Sequence, residues 1–147
     1  MLTASFPARH DHLRAISAFV MDAIKDAPFD NRQRYAIDLA VDEACSNVID
    51  HAYIGNDQGE IQISLDLTET GLKLTIRDDG ASFDPDCVAE PDLTSPLETR
   101  CERGLGVYLI REVMDEAAYD FSCPGVNQLT LVKYFVPKNI TENNGRS

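Results

Sequence analysis

The sequence predicts an α+β fold, a two-layer sandwich in which helices cover one face of a mixed, mostly antiparallel sheet. Three observations support this prediction. Apolar residues recur at helical spacing through the first third of the chain, apolar and polar residues alternate through most of the remainder, and short turns separate the alternating segments. Helices followed by hairpin-linked strands, with one further helix between them, pack most economically as a helical layer on an antiparallel sheet.

The first part of the chain contains most of the predicted helical layer. A short strand at residues 2–6 comes before a helix predicted at residues 9–25. A second helix is predicted at residues 31–52, because neither Gly nor Pro interrupts it and because Asp30 or Asn31 can cap its first turn.

The remainder of the chain contains most of the predicted sheet. Residues 87–103 have no apolar periodicity and are predicted as a long loop that closes as a lid, followed by a helix at residues 104–116. Four segments alternate and are predicted as strands, the first two as a hairpin around Thr70 and Gly71: residues 60–67, 72–79, 117–123 and 128–136.

Length and composition indicate one globular domain, predicted at residues 1–138, with a polar tail at residues 139–147. The formal net charge of -12 disfavours nucleic acid and anionic membranes as partners, whereas a basic protein partner is compatible with it. The four cysteines lie far apart without the spacing of a metal site, which is typical of a reducing compartment. The sequence also has no apolar run that would make a signal peptide or a membrane helix, so we expect a cytoplasmic protein.

The second predicted helix has two polar residues on the side that its alanines should bury. In a helical projection Arg34, Asp38 and Asp42 form the predicted solvent face, whereas Asn47 lies among the alanines and Glu43 lies beside them. A carboxylate and an amide in that position lose hydration unless they face a partner, a metal or a wet cleft. A hydrogen bond between the two side chains within the helix is the alternative, and the four-residue spacing alone does not decide between them.

A second candidate site follows the predicted hairpin, where a strand ends in Asp78, Asp79 and Gly80. An aspartate at a strand end can present its carboxylate in a cleft, and a glycine beside it lets a flat ligand approach the backbone closely. An ordinary Asp-Gly turn is the alternative interpretation.

A third candidate site lies at the start of the last predicted helix, where Arg103 comes directly before Gly104, Leu105 and Gly106. The backbone N–H groups at such a helix start can meet an anion, which the helix dipole also favours. The alternative is that the glycines only let the preceding loop enter the helix.

The three segments together resemble a known set of motifs. In their order and separation, EACSNVIDHAY, DDGASFDP and RGLGVYLI are similar to the three nucleotide-binding boxes of the GHKL ATPase superfamily, which includes histidine kinase catalytic domains and gyrase. The closest resemblance is to the small stand-alone anti-sigma-factor serine kinases, and it extends from the first helix to the final strand. It implies the two-layer GHKL fold, also called the Bergerat fold.

The resemblance also implies roles for individual residues. The residue matching Glu43 is the family's general base, and the one matching Asn47 holds Mg²⁺ on the ATP phosphates. The residue matching Asp78 accepts a hydrogen bond from the adenine amino group, with Gly80 leaving the base edge accessible. The phosphates would be bound by four consecutive residues at the helix start: Arg103, Gly104, Leu105 and Gly106.

The resemblance implies an ATP-dependent protein serine kinase that acts as an anti-sigma factor. Such a kinase phosphorylates an anti-anti-sigma protein, binds a sigma factor, forms a homodimer and uses ATP with Mg²⁺. The alternative is an ATP-binding regulatory module without phosphotransfer, which would not need the base Glu43. A third candidate, the ATP-binding half of a histidine kinase, is disfavoured, because 147 residues leave no room for a dimerisation helix pair that carries a phospho-acceptor histidine.

The sequence departs from the superfamily pattern at two places. Ser82 replaces the second glycine of the D-x-G-x-G box, and no lysine occurs between Asp86 and Gly104, so that a cation from the lid must be an arginine such as Arg100. His51 matches the family letter, but no catalytic role is assigned to it.

Overall fold

The computed structural model describes residues 1–52, 59–80, 104–120, 122 and 125–135, with the backbone alone at residues 51, 52 and 104–108. Within these residues, helices pack on a five-stranded sheet in the order β1-β2-β3-β5-β4. The elements are β1 (Leu2–Pro7), α1 (Leu13–Ala23), α2 (Asn31–Asn47), β2 (Glu60–Leu67), β3 (Gly71–Asp78), α3 (Gly104–Val113), β4 (Glu116–Asp120) and β5 (Asn127–Tyr134).

The sheet confirms the predicted α+β class and corrects one detail of it. Every strand pairing within the described residues is antiparallel, so that part of the sheet is not mixed. Every second side chain of a strand points toward the helices. On this face of the sheet, called the inner face here, those side chains are apolar. Its buried residues come from the three central strands: Ile61, Ile63, Leu65, Leu72, Leu74, Ile76, Leu129 and Leu131.

The hairpin of β2 and β3 is confirmed, and β3 begins at Gly71, which the sequence places in the turn. Gly71 pairs with Tyr134 of β5. A Cβ atom at position 71 would lie 2.2 Å from the Lys133 carbonyl oxygen, so the close approach of β5 requires a glycine there.

The start of α2 is anchored to the end of β5. Asp30 is the N-cap, and it forms a capping box with Gln33 through bonds of 2.7 and 3.1 Å. The Gln33 Nε2 group also donates to the carbonyl oxygens of Tyr134, at 2.9 Å, and Phe135, at 2.7 Å. The Phe29 ring packs on the Phe135 ring with centroids 4.9 Å apart. The first turn of α2 is therefore held at the C-terminal end of β5.

This anchor fixes the end of the sheet at which α2 begins. Seventeen helical residues span about 25 Å, close to the length of an eight-residue strand. Helix α2 begins at the Tyr134 end of β5 and is long enough to reach its other end, where Asn127 pairs with Asp78 of β3.

The predicted solvent face of α2 is wrong at two of its three residues. The Arg34 guanidinium is half-buried and donates to four carbonyl oxygens after α1, two of them at 2.7 Å: Ile24, Lys25, Ala27 and Phe29. The Asp38 carboxylate accepts a bond of 2.6 Å from the Ser17 hydroxyl of α1. Both residues hold α1 against α2, and only Asp42 is exposed as predicted.

The ends of the other elements differ slightly from their predicted positions. The helix predicted at residues 31–52 covers the right residues, but its last five, Val48–Ala52, wind as a π-helix. Helix α1 begins at Leu13, after a 3₁₀ turn at His10–His12. The predicted lid at residues 87–103 and the polar tail at residues 139–147 lie outside the described residues. Within the part that is described, no helix combines the length and apolarity needed to cross a bilayer.

Replacing Gln33 by Ala tests the anchor. The change removes both bonds to the end of β5 and half of the capping box, so we expect the free energy of unfolding to fall by about 1–3 kcal/mol. Urea unfolding followed by circular dichroism measures the fall. The matched control is Arg32→Ala, an exposed position one residue earlier, which should change stability by less than about 0.5 kcal/mol. Equal stabilities of the two variants would show that the anchor does not hold α2.

Candidate functional site

A pair of polar residues ends the apolar inner face of the sheet. Asp78 continues the inward-facing series of Leu74 and Ile76 on β3, and Asn127 begins the series that Leu129 continues on β5. The two residues are register partners and are only 9% and 7% exposed. A buried carboxylate is costly unless hydrogen bonds satisfy it, so this position requires local support.

The support comes from the Asn127 amide and from the turn after β3. The Asn127 Nδ2 group donates to Asp78 Oδ1, at 2.8 Å, and to the Gly80 carbonyl oxygen, at 3.0 Å. The Gly80 N–H group donates to the same Asp78 oxygen, at 2.9 Å. The Asp78 carboxylate thus has a fixed orientation. The bond from the Gly80 N–H group is the one that an ordinary Asp-Gly turn makes, so the turn is present here together with a buried carboxylate.

Asn127 is a site residue that the sequence analysis missed. The predicted strand began one residue later, at position 128, and so left Asn127 in the preceding turn. One signal was available, because Asn127 has the same parity as the apolar residues Leu129 and Leu131. Extending the alternation backward by two residues would have placed an amide on the inner face.

The last turn of α2 brings Glu43 and Asn47 to a half-buried position. The Asn47 Nδ2 atom is enclosed, and it has no hydrogen-bond partner among the residues that the structure describes. It therefore makes no bond to Glu43, which removes the intrahelical alternative. An enclosed amide without a partner costs about 1–3 kcal/mol, so Asn47 is suited to contact a ligand.

Cys45, between these two residues, shows how close α2 lies to Asp78. Its side chain is fully buried, and its pKa is raised to about 12, chiefly by burial and further by the carboxylates of Asp42 and Asp78. The influence of Asp78 on this thiol indicates that α2, which begins at the Tyr134 end of β5, passes near Asp78. The second half of α2 and the end of β3 therefore belong to one region.

The third predicted segment forms the beginning of α3, which starts at Gly104 and packs against α2. Gly104, Leu105 and Gly106 thus make up its first turn, where backbone N–H groups have no acceptor within the helix. These groups and the positive end of the helix dipole suit an anion. Arg100 and Arg103 lie outside the described residues, as does the side chain of His51.

Comparison with known families identifies the fold. Residues 6–133 match the model of the histidine kinase-like ATPase domain. The chain belongs to this family. Among its relatives, proteins named serine-protein kinase RsbW from Bacillus cereus (strain AH820) and Bacillus anthracis are each 40% identical over 96 residues. The alignments cover 58% of this chain, which spans 59% of the length of those relatives.

Solved structures agree with the family assignment at the level of the fold. The RsbU and RsbW domains of Rv1364c from Mycobacterium tuberculosis superpose with a TM-score of 0.63 at 15% identity, covering 90% of this chain and 32% of that one. The catalytic domain of histidine kinase ThkA superposes with a TM-score of 0.51 at 16% identity, covering 90% and 99%. The GHKL-type α+β fold that the sequence predicts is thereby confirmed.

Native-state alkylation of Cys45 tests the packing of α2 over the end of β3. Because burial raises the thiol pKa to about 12, we expect Cys45 to stay unmodified by iodoacetamide at about pH 8 in the folded protein and to react once urea unfolds it. Mass spectrometry of the Cys45 peptide measures the modified fraction, with the urea sample as the reactive control. Rapid modification in the folded protein would mean that α2 does not close over Asp78.

Proposed function

We propose that this chain is an ATP-dependent protein serine kinase that acts as an anti-sigma factor in a partner-switching system and phosphorylates an anti-anti-sigma protein. The observation that carries the proposal is one region with a buried, fixed carboxylate at Asp78 and an enclosed amide at Asn47 whose N–H group has no partner within the described residues. Membership of the histidine kinase-like ATPase family supports ATP as the nucleotide. Similarity to relatives named serine-protein kinase RsbW supports serine as the acceptor.

In the proposal, Asp78 and Gly80 bind the adenine ring. An ionised carboxylate only accepts hydrogen bonds, and the adenine amino group donates them. Two donors already fix Asp78 Oδ1, so its carboxylate is oriented before a ligand arrives. Orientation in advance lowers the entropy cost of binding.

Asn47 and the start of α3 bind the phosphate end of the nucleotide. An amide side chain offers an oxygen to a hard cation and N–H groups to a phosphate. The enclosed N–H group of Asn47 has no described partner and fits a phosphate oxygen, and the carbonyl oxygen of the same amide is the atom that suits a cation. Asn47 would hold Mg²⁺, which when bound neutralises phosphate charge. The backbone N–H groups of Gly104, Leu105 and Gly106 would bind phosphate oxygens, with Arg103 adding a positive charge.

Glu43 is the general base of the proposed reaction. Its carboxylate takes the proton of the serine hydroxyl as the hydroxyl oxygen bonds to the terminal phosphorus atom. The bond from that phosphorus to the bridging oxygen breaks, and ADP leaves with the electron pair. Phosphoryl transfer depends mostly on positioning and charge neutralisation, which the residues around Glu43 are suited to supply.

The proposal extends to partners, location and domain limits. The partners are an anti-anti-sigma protein and a sigma factor, and the kinase is a homodimer in the cytoplasm. Residues 1–138 form the ATPase domain, and residues 139–147 form a polar tail. The net charge of -12 is consistent with protein partners that present basic surfaces.

Replacing Asp78 by Asn tests the adenine assignment. The change puts a donor where an acceptor is needed, and a mismatched hydrogen bond in a desolvated site costs about 1–3 kcal/mol. We expect ATP, titrated with MgCl₂ by calorimetry, to bind at least about tenfold more weakly. Asp79→Asn, at the exposed neighbouring position, is the matched control and should keep the parent affinity. Parent affinity in Asp78→Asn would refute the assignment.

Replacing Glu43 by Gln separates binding from chemistry. A general base contributes about 10²–10⁴-fold to rate, so phosphate transfer should fall by that factor while the Kd for ATP stays within about twofold. Asn47→Ala should lower the rate of phosphate transfer and also weaken ATP binding. Glu112→Gln, at an exposed position on α3, should change neither the rate nor the Kd. Parent transfer rates in Glu43→Gln would exclude it as the base. An ATP-binding chain that transfers no phosphate to any protein would instead be the regulatory module.

A further inference from the structure

A groove runs between α1 and α2 on the exposed side of the two helices. It has a volume of about 350 Å³. Its apolar lining comes from Leu13 on α1 and Leu39 on α2, both of which are half-buried. Leu13 and Leu39 therefore leave part of their apolar surface accessible to the side chain of a partner.

Tyr35 makes one side of this groove an exposed aromatic surface. It lines the groove and is 68% exposed, although tyrosine is a large and partly apolar side chain. Exposed aromatic residues beside apolar pockets are typical anchors of protein interfaces. Tyr35 is not needed for the core, so its exposure is available for a partner.

Glu43 lies one helical turn beyond Leu39, which lines the groove. Tyr35, Leu39 and Glu43 are spaced four residues apart on α2, so they form one ridge on the helix surface. Leu39 and Glu43 are separated by about 6 Å along the helix axis, less than the length of two extended residues. A chain segment seated on Tyr35 and Leu39 would therefore have its next residues beside the Glu43 carboxylate.

The charged residues that line the groove determine which charges a bound segment should carry. Asp38 and Asp42 line the α2 side, and Asp38 already accepts a bond from Ser17. Asp42 is exposed and forms no ion pair within the described ranges, so it can receive a cation. Arg14 lines the α1 side. Opposite charges on the two walls give an occupant of mixed charge one preferred orientation.

We propose that this groove docks the segment of the acceptor protein that carries the serine to Glu43. In the docked segment an apolar side chain lies on Leu39 beside Tyr35, and a lysine or arginine faces Asp42. The docking surface rests on the proposed kinase function, because it exists to deliver a hydroxyl group to the base. It is separate from the nucleotide contacts, so its loss should leave ATP binding intact.

The test measures steady-state phosphate transfer to a defined acceptor. The acceptor is the soluble protein of the source cells that becomes labelled when the full chain and radiolabelled ATP are added, and it is purified before use. In Tyr35→Ala and in Asp42→Lys, we expect the KM for this acceptor to rise about tenfold or more. The kcat and the Kd for ATP should stay within about twofold of the parent values, because neither residue contacts the nucleotide in the proposal.

Two control variants make the same kinds of change, an apolar truncation and a charge reversal, at positions outside the groove. Leu67→Ala removes an exposed apolar side chain at the end of β2, and Glu69→Lys reverses an exposed charge in the hairpin turn. Both should keep the parent KM. Parent KM in Tyr35→Ala and Asp42→Lys, or a loss confined to kcat, would overturn the docking surface while leaving the kinase intact. A parent chain that labels no protein would refute the proposed function and the docking surface with it.

Discussion

The hydrogen bonds from Gln33 to the end of β5 fix where α2 begins on the sheet, and the rest of the site depends on that position. They join the first turn of the longest helix to the Tyr134 end of the central sheet. The helix and the strand have nearly the same length, so the last turn of α2 reaches the opposite end of β5. That end carries Asp78 and Asn127. Two elements far apart in sequence are thereby brought to one place, where burial and the nearby carboxylates of Asp42 and Asp78 raise the pKa of Cys45.

Where these two elements meet, polar side chains are buried at the end of the apolar inner face of the sheet. Asp78 and Asn127 satisfy each other, whereas Asn47 keeps an enclosed N–H group without a partner among the described residues. A chain that only needed stability would gain by placing apolar residues at these positions. A nucleotide that binds there would supply a partner for the Asn47 N–H group. Because it binds the folded state, it would also offset the stability lost by burying these polar side chains. The outer ridge of the same helix gives α2 a second role, because Tyr35, Leu39 and Glu43 connect a protein-docking groove with the proposed base.

Local patterns predicted the parts of this structure that depend on local physics. The β2–β3 hairpin follows from strict alternation around a turn, and the start of α2 follows from a capping residue. The roles of Arg34 and Asp38 were not predictable, because their partners lie on α1 and in the loop after it, and a periodic pattern treats any polar residue as solvent-facing. Asn127 was missed for a related reason, since an amide at a strand end looks like a turn residue until its partner Asp78 is known. The π-helix that follows α2 at Val48–Ala52 has no periodic signature in the sequence.

The most direct test of the central claim is a ¹⁵N–¹H correlation spectrum of the full chain recorded during titration with ATP and MgCl₂. The side-chain amides of Asn47 and Asn127 report the two ends of the proposed nucleotide site. Gln128 lies next to Asn127 on β5 but has its side chain on the opposite face of the sheet, so it is an internal control. We expect the Asn47 and Asn127 amide signals to shift together and to saturate at one Kd, while the Gln128 signal stays in place. Shifts of Gln128 without shifts of the two asparagines, or no shifts at all, would contradict the proposed nucleotide site.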